Sequence, residues 1–168
     1  PTATSSEGSA SVKLGQANKL SDSYLVPLTL NSDVGIAGIQ IELAYNSSKL
    51  QLLTPWKTES TNNIDLLYKT EPGKQKIGIF KQDGSEYIPT GSNEIVMISV
   101  KPLTSIPDFS SLKINKVATA DLNGEEIKTL VIGNKVTLPK PKTPTLKVSA
   151  VQETTPLPKV IKLNWRII

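Results

Sequence analysis

The stretch Val34–Leu53, VGIAGIQIELAYNSSKLQLL, decides the fold. Within it Ile39, Ile41, Leu43 and Tyr45 alternate with Gln40, Glu42 and Ala44. A period of two is that of a strand with one face buried and one toward water. The alternation breaks at Asn46-Ser47-Ser48-Lys49, which fits a single helical turn, and strand resumes over Leu50–Leu53.

Working outward, short strands recur on both sides. Upstream lie Ser11–Gly15 (SVKLG) and Tyr24–Asn31 (YLVPLTLN), and Pro27 within the second cannot donate to a ladder. That strand is therefore expected at an edge, or with its proline nitrogen facing away from a neighbour. Downstream, Ile64–Lys69 and Lys76–Gln82 flank the turn sequence Glu71-Pro72-Gly73-Lys74 and read as a hairpin. Glu94–Val100, Ser110–Ala118 and Ile127–Leu138 follow, with Gly133-Asn134 expected as a hairpin turn or a bulge. About nine short strands separated by turn residues, without a sustained 3.6 period, define an all-β antiparallel sandwich. Its expected core is Val12, Leu14, Val26, Leu28, Leu30, Ile39, Ile41, Leu43, Ile77, Ile79, Ile95 or Val96, Ile98 and Val100.

Composition removes whole classes of chemistry. The 168 residues include no Cys and no His, which excludes disulfides, thiol nucleophiles, common zinc sites and every His-based acid/base device. No metal or cofactor is expected. No apolar run reaches the length of a membrane span. The net charge of +4 is unevenly placed: residues 1–138 hold 13 Lys against 14 carboxylates, and the basic excess lies in 139–168. Without an interleaving of aromatic and Lys/Arg residues that would make a stacking groove for single strands, nucleic acid is not the expected partner. Residues 1–10 are small and polar and read as a flexible linker, and 139–145 as a Pro/Lys spacer.

Few residues suggest a site. Asp121-x-Asn123-Gly124-Glu125-Glu126 is faintly like a calcium loop but lacks its full spacing, and a solvated turn is the expected reading. Asp65, Glu71, Asp83 and Glu86 are scattered carboxylates from which a glycosidase pair would have to come. Trp56, in a polar loop, either stacks on a sugar ring or lids one end of the sandwich. Asn46-Ser47-Ser48 has the form of a glycosylation acceptor.

Five segments, VKLG, LVPLTL, GIAGIQIELAYNSSKLQLL, EIVMISVKP and ATADLNGEEI, resemble in order and spacing the cohesin domains of cellulosome scaffolds, over about residues 11–138. Tyr45-Asn46-Ser47-Ser48-Lys49-Leu50 looks like that family's Tyr-Asp-Pro-x-x-Leu turn, with Asn46 for the aspartate and Ser47 for the proline. Ala120-Asp121-Leu122-Asn123-Gly124 matches without such departures. The resemblance implies a nine-stranded jelly-roll β-sandwich. It also implies a non-catalytic module of a secreted or cell-surface bacterial or archaeal protein that binds a calcium-loaded helical partner, dockerin, on an open sheet face. Here that face would present Gln40, Glu42 and Ala44 with Gly78, Phe80 and Gln82, and Phe80 as anchor; alternation alone also permits Phe80 inward with Ile77 and Ile79 outward. The alternative function is a carbohydrate-binding or structural spacer domain, with polysaccharide as partner. Residues 146–168 resemble the first two strands of a fibronectin type III module, Leu146 and Val148 in one and Ile161, Leu163 and Trp165 in the other. Two strands cannot bury their apolar faces alone, so a homodimer through 146–168 is one expected outcome.

Overall fold

The computed structural model describes residues 8–139. The extra C-terminal two-strand segment, the dimer contact assigned to it, and all but the first residue of the Pro/Lys spacer lie outside the described residues. Eleven strands form in chain order: β1 (Ser9–Leu14), β2 (Asn18–Leu20), β3 (Ser23–Ser32), β4 (Ile36–Ala44), β5 (Leu50–Leu52), β6 (Trp56–Lys57), β7 (Asp65–Glu71), β8 (Lys74–Phe80), β9 (Gly91–Pro102), β10 (Lys113–Asp121) and β11 (Glu126–Gly133). The expected nine become eleven because β2 and β6, short strands hung on β3 and β9, lie off the main path β5-β9-β3-β1-β11-β10-β4-β8-β7.

Two sheets stack face to face, β5-β9-β3-β1 and β10-β4-β8-β7, and β11 joins them. It pairs antiparallel with β10 at Glu126–Ile127 and parallel with β1 from Lys128 onward, the one parallel ladder among the described strands. The architecture is an all-β sandwich. Every residue of the expected core is buried between the sheets. Ile95 and Val96 are both buried because β9 carries a bulge there: Val96 faces Leu28 and Glu94 faces Thr29, leaving Ile95 as the extra residue. Strict alternation could place only one of them inside.

Three expectations are narrowed or corrected. First, of the two placements expected for Pro27 the edge is excluded, since β1 and β9 flank β3. The Pro27 carbonyl accepts from Gly15 N–H at 2.9 Å, so its ring nitrogen faces the same side, one residue past the end of β1, and the reciprocal bond it cannot make falls outside the β1–β3 ladder. A Cβ on Gly15 would stand 2.8 Å from the Pro27 ring, which is why the chain needs glycine at that crossing. Second, β1 starts at Ser9 with Ala10 buried, two residues inside the expected linker. Third, Gly133-Asn134 ends β11 instead of turning a hairpin, and the bulge falls at Ile132, between the pairs Val12–Val131 and Lys13–Gly133. Asn134 then uses its side-chain amide as a surrogate strand, accepting from Ile114 N–H at 2.6 Å and donating to the Ile114 carbonyl at 3.0 Å.

The β7–β8 hairpin forms as expected. Gly73 has φ 84°, the conformation that the third position of a Pro-Gly turn requires, and the strands then pair in full register from Glu71–Lys74 to Asp65–Phe80.

Candidate docking face

The inner residues of β4 and β8 fix what the outer ones must do. Ile39, Ile41 and Leu43 are buried, as are Ile77 and Ile79, so Gln40, Glu42, Ala44, Gly78 and Phe80 face away from the core. This settles the orientation of Phe80 as outward. Gln82 is not part of the face: β8 ends at Phe80, and Gln82 sits in the turn that the Gly84 N–H to Lys81 carbonyl bond closes.

Strand register aligns the outer residues in rows across β7, β8, β4 and β10. One row is Asp65, Phe80, Gly38 and Ala120; the next is Leu67, Gly78, Gln40 and Ala118. Then come Lys69, Lys76, Glu42 and Lys116, and finally Glu71, Lys74, Ala44 and Lys113. The middle rows line a shallow concavity of about 800 Å³. Its first half is low and largely apolar, because Gly78 and Ala118 carry little or no side chain. Phe80 does not stand up from it: its ring lies over Gly78, whose added Cβ would meet the ring edge at 3.7 Å. The apolar group that projects is Leu67, 58% exposed.

The sequence reading missed Leu67 because Leu66, Leu67 and Tyr68 run consecutively on an edge strand and show no period. It also missed Asn115, the extra residue of a bulge in β10 between Ile114 and Lys116. The bulge brings the Asn115 amide to Glu42, where Nδ2 donates to Oε2 at 2.7 Å. That bond is the main reason the Glu42 carboxyl lies below the usual glutamate range; desolvation opposes it, and the charges of Lys74, Lys116 and Lys76 each add a smaller lowering. Glu42 is thus a fixed anion among cations.

The turn motifs act as braces for this sheet. Tyr45 O–H donates to the Glu71 carbonyl at 2.8 Å and Tyr45 N–H to the Gly73 carbonyl at 3.1 Å, tying the end of β4 to the β7–β8 turn. Asn46 Oδ1 accepts from Ser48 N–H at 2.9 Å, the role an aspartate would fill, so the departure at this position keeps the turn. The turn is closed by the Leu50 N–H to Asn46 carbonyl bond and does not develop into helix.

Asp121 is 5% exposed, and its Oδ1 accepts the N–H groups of Asn123 and Glu125, both at 2.9 Å. A carboxylate oxygen used this way organises the turn between β10 and β11, where Gly124 takes φ 80°. Among the described residues no three acidic side chains gather as a metal site. Asp121→Ala is expected to lower stability by about 1–3 kcal/mol, read by denaturant titration, and a chelator should leave the wild-type midpoint where it is.

The scattered carboxylates do not form a hydrolytic pair on one strand. Asp65 and Glu71 begin and end β7, about 20 Å apart at strand rise, beyond the span of a glycosidase pair. Asp83 caps its own loop by accepting from Ser85 N–H at 2.9 Å. Trp56 lies on the other sheet, where β6 pairs with β9, and is 48% exposed, so it does not lid the sandwich. β9 has no aromatic residue to extend a stacking surface beside it.

A sandwich that leaves one whole sheet face flat, partly apolar and uncovered by its own loops is a docking module in form. The cohesin domain family model matches residues 10–137, and the chain belongs to the cohesin family. No curated protein sequence matches it. Among solved structures, it is similar to the cohesin of a type I cohesin–dockerin complex from Clostridium thermocellum, at 20% identity, TM-score 0.63, covering 77% of this chain and 99% of that one. A non-cellulosomal cohesin from Archaeoglobus fulgidus has 16% identity and TM-score 0.57, with 79% and 91% covered. A cohesin module of a family 33 glycoside hydrolase from Clostridium perfringens has 16% identity and TM-score 0.57, with 78% and 96% covered. At these identities the likeness concerns the fold.

Proposed function

We propose that this domain is a non-catalytic docking module that holds a dockerin-type partner on the outer face of β10-β4-β8-β7, as part of a secreted or cell-surface protein. The observation that carries the reading is the open row Leu67, Gly78, Gln40 and Ala118, apolar but for Gln40, bordered on one side by the row of Lys69, Lys76, Glu42 and Lys116 and covered by nothing else among the described residues. Interface energy concentrates where a few apolar anchors are desolvated inside a polar rim. Membership of the cohesin family and the dockerin-bound state of the Clostridium thermocellum relative support the same partner class.

The test is isothermal titration of the domain with calcium-loaded dockerin modules encoded in the same genome. Saturable one-to-one binding by at least one of them is expected, and binding by none would overturn the reading. A second reading, sugar stacking on Trp56, has the exposure of that ring in its favour. Retardation in a polysaccharide gel that Trp56→Ala abolishes would establish it.

A further inference from the structure

The docking face is polarised along its strands. Toward one end lie Leu67, Gly78, Phe80, Ala118 and Ala120; toward the other lie Lys69, Lys74, Lys76, Lys113 and Lys116. Two carboxylates share that second end. Glu71 is the partner of Lys69 at 3.4 Å, and Glu42 is held by Asn115. Lys74, Lys76, Lys113 and Lys116 have no carboxylate within ion-pair distance among the described residues. They come from β8 and β10, on either side of β4, so a domain whose residues 1–138 are close to neutral gathers its positive charge on this face. Consecutive outer rows are about 6.8 Å apart along the strands, close to the rise of about 6 Å between helix residues i and i+4.

Resting on the docking reading above, we propose that the partner recognised here is acidic. It presents carboxylates one helical turn away from an apolar residue, so that the apolar residue sits on Leu67 and Gly78 while the carboxylates meet Lys76 and Lys116. The basic end then selects among partners of similar fold. A dockerin with a basic contact surface would bring like charge onto four ammonium groups that share one carboxylate, Glu42, and be rejected, whereas an acidic one would be drawn in and oriented before contact. Glu42, fixed by Asn115, offsets only part of that charge, and the end stays net positive.

The test uses the same calcium-loaded dockerins, sorted by the net charge of their helices, against wild type, Lys76→Glu/Lys116→Glu and Leu67→Asp, each at 50 and 500 mM salt. The bound modules are expected to be acidic. Wild-type affinity should fall at least about tenfold between the two salt concentrations, and the charge-reversed variant should lose more than about tenfold at low salt and show little salt dependence. Binding that Leu67→Asp abolishes but that neither salt nor charge reversal alters would overturn the charge proposal and leave the docking function standing. Preferential binding of basic modules would also overturn it. Binding of no module at all would remove the docking reading and this proposal together. All three variants alter exposed side chains, and a retained thermal midpoint shows that each is folded.

Discussion

Leu67→Asp is expected to weaken dockerin binding at least about 100-fold, a hot-spot loss of roughly 3 kcal/mol or more. Leu67 is 58% exposed on the edge strand β7 and pairs with Gly78, so its side chain stands beside a gap in the sheet surface. A partner seated on the Gly78 row must bury Leu67. The substitution removes that apolar contact and buries an unpaired carboxylate under the partner's apolar residue. Because the side chain makes little contact with the core, the thermal midpoint should move by only about 2–3 °C. Unchanged affinity in a folded variant would place the partner elsewhere on the sandwich. Phe80→Ala should cost less, since the Phe80 ring leans over Gly78 and does not project from the face.

The second large effect concerns Gln75, which is fully buried on the inner face of β8. Its Nε2 donates to the Leu53 carbonyl at 3.0 Å and to Thr70 Oγ1 at 2.8 Å, while Oε1 has no hydrogen-bond partner. Gln75→Glu keeps the shape and replaces the donor with an oxygen. Protonated, the new carboxyl can still donate to Leu53; ionised, it faces that carbonyl with a buried charge. Burial raises a carboxyl pKa by several units, so the folded state keeps the proton after the unfolded state has lost it. Stability then falls as pH rises above the unfolded value, by about 1.4 kcal/mol per unit. Near pH 7 the variant should be less stable than wild type by roughly 3–4 kcal/mol, and close to it at pH 4. Urea titrations at the two pH values check this, and a loss independent of pH would mean that the charge is not what matters.

The all-β class was legible because buried and exposed residues alternate cleanly where strands are regular. Ile39, Ile41 and Leu43 could be placed inward from spacing alone, and with them the outward set Gln40, Glu42 and Ala44. Legibility stopped where the backbone departs from a period of two. The bulge at Ile95 buries consecutive residues, and the bulge at Asn115 turns toward Glu42 a side chain whose parity gives no hint of it. Pro27 left two placements open for a related reason: which of them holds depends on where a neighbouring strand stops, which no local pattern encodes. The candidate face was half visible. Phe80 and Gly78 followed from the hairpin, but the five lysines of the basic end run from Lys69 to Lys116 in sequence and become neighbours only through register. Gln82 was carried past the end of its strand by alternation that continued into a turn.

The pairing of β1 with β11 sets a timetable for synthesis. Ser9 is opposite Lys128, so the first strand made has no second neighbour until nearly the whole domain has left the ribosome. At roughly 5–20 residues per second, that wait is on the order of ten seconds. During it β3 and β9 can pair, but the seam between the sheets stays open and one edge of β1 is bare. Long-range closures of this kind are slow, and a nascent chain halted before Lys128 would present to its neighbours the strand edge that the finished domain conceals.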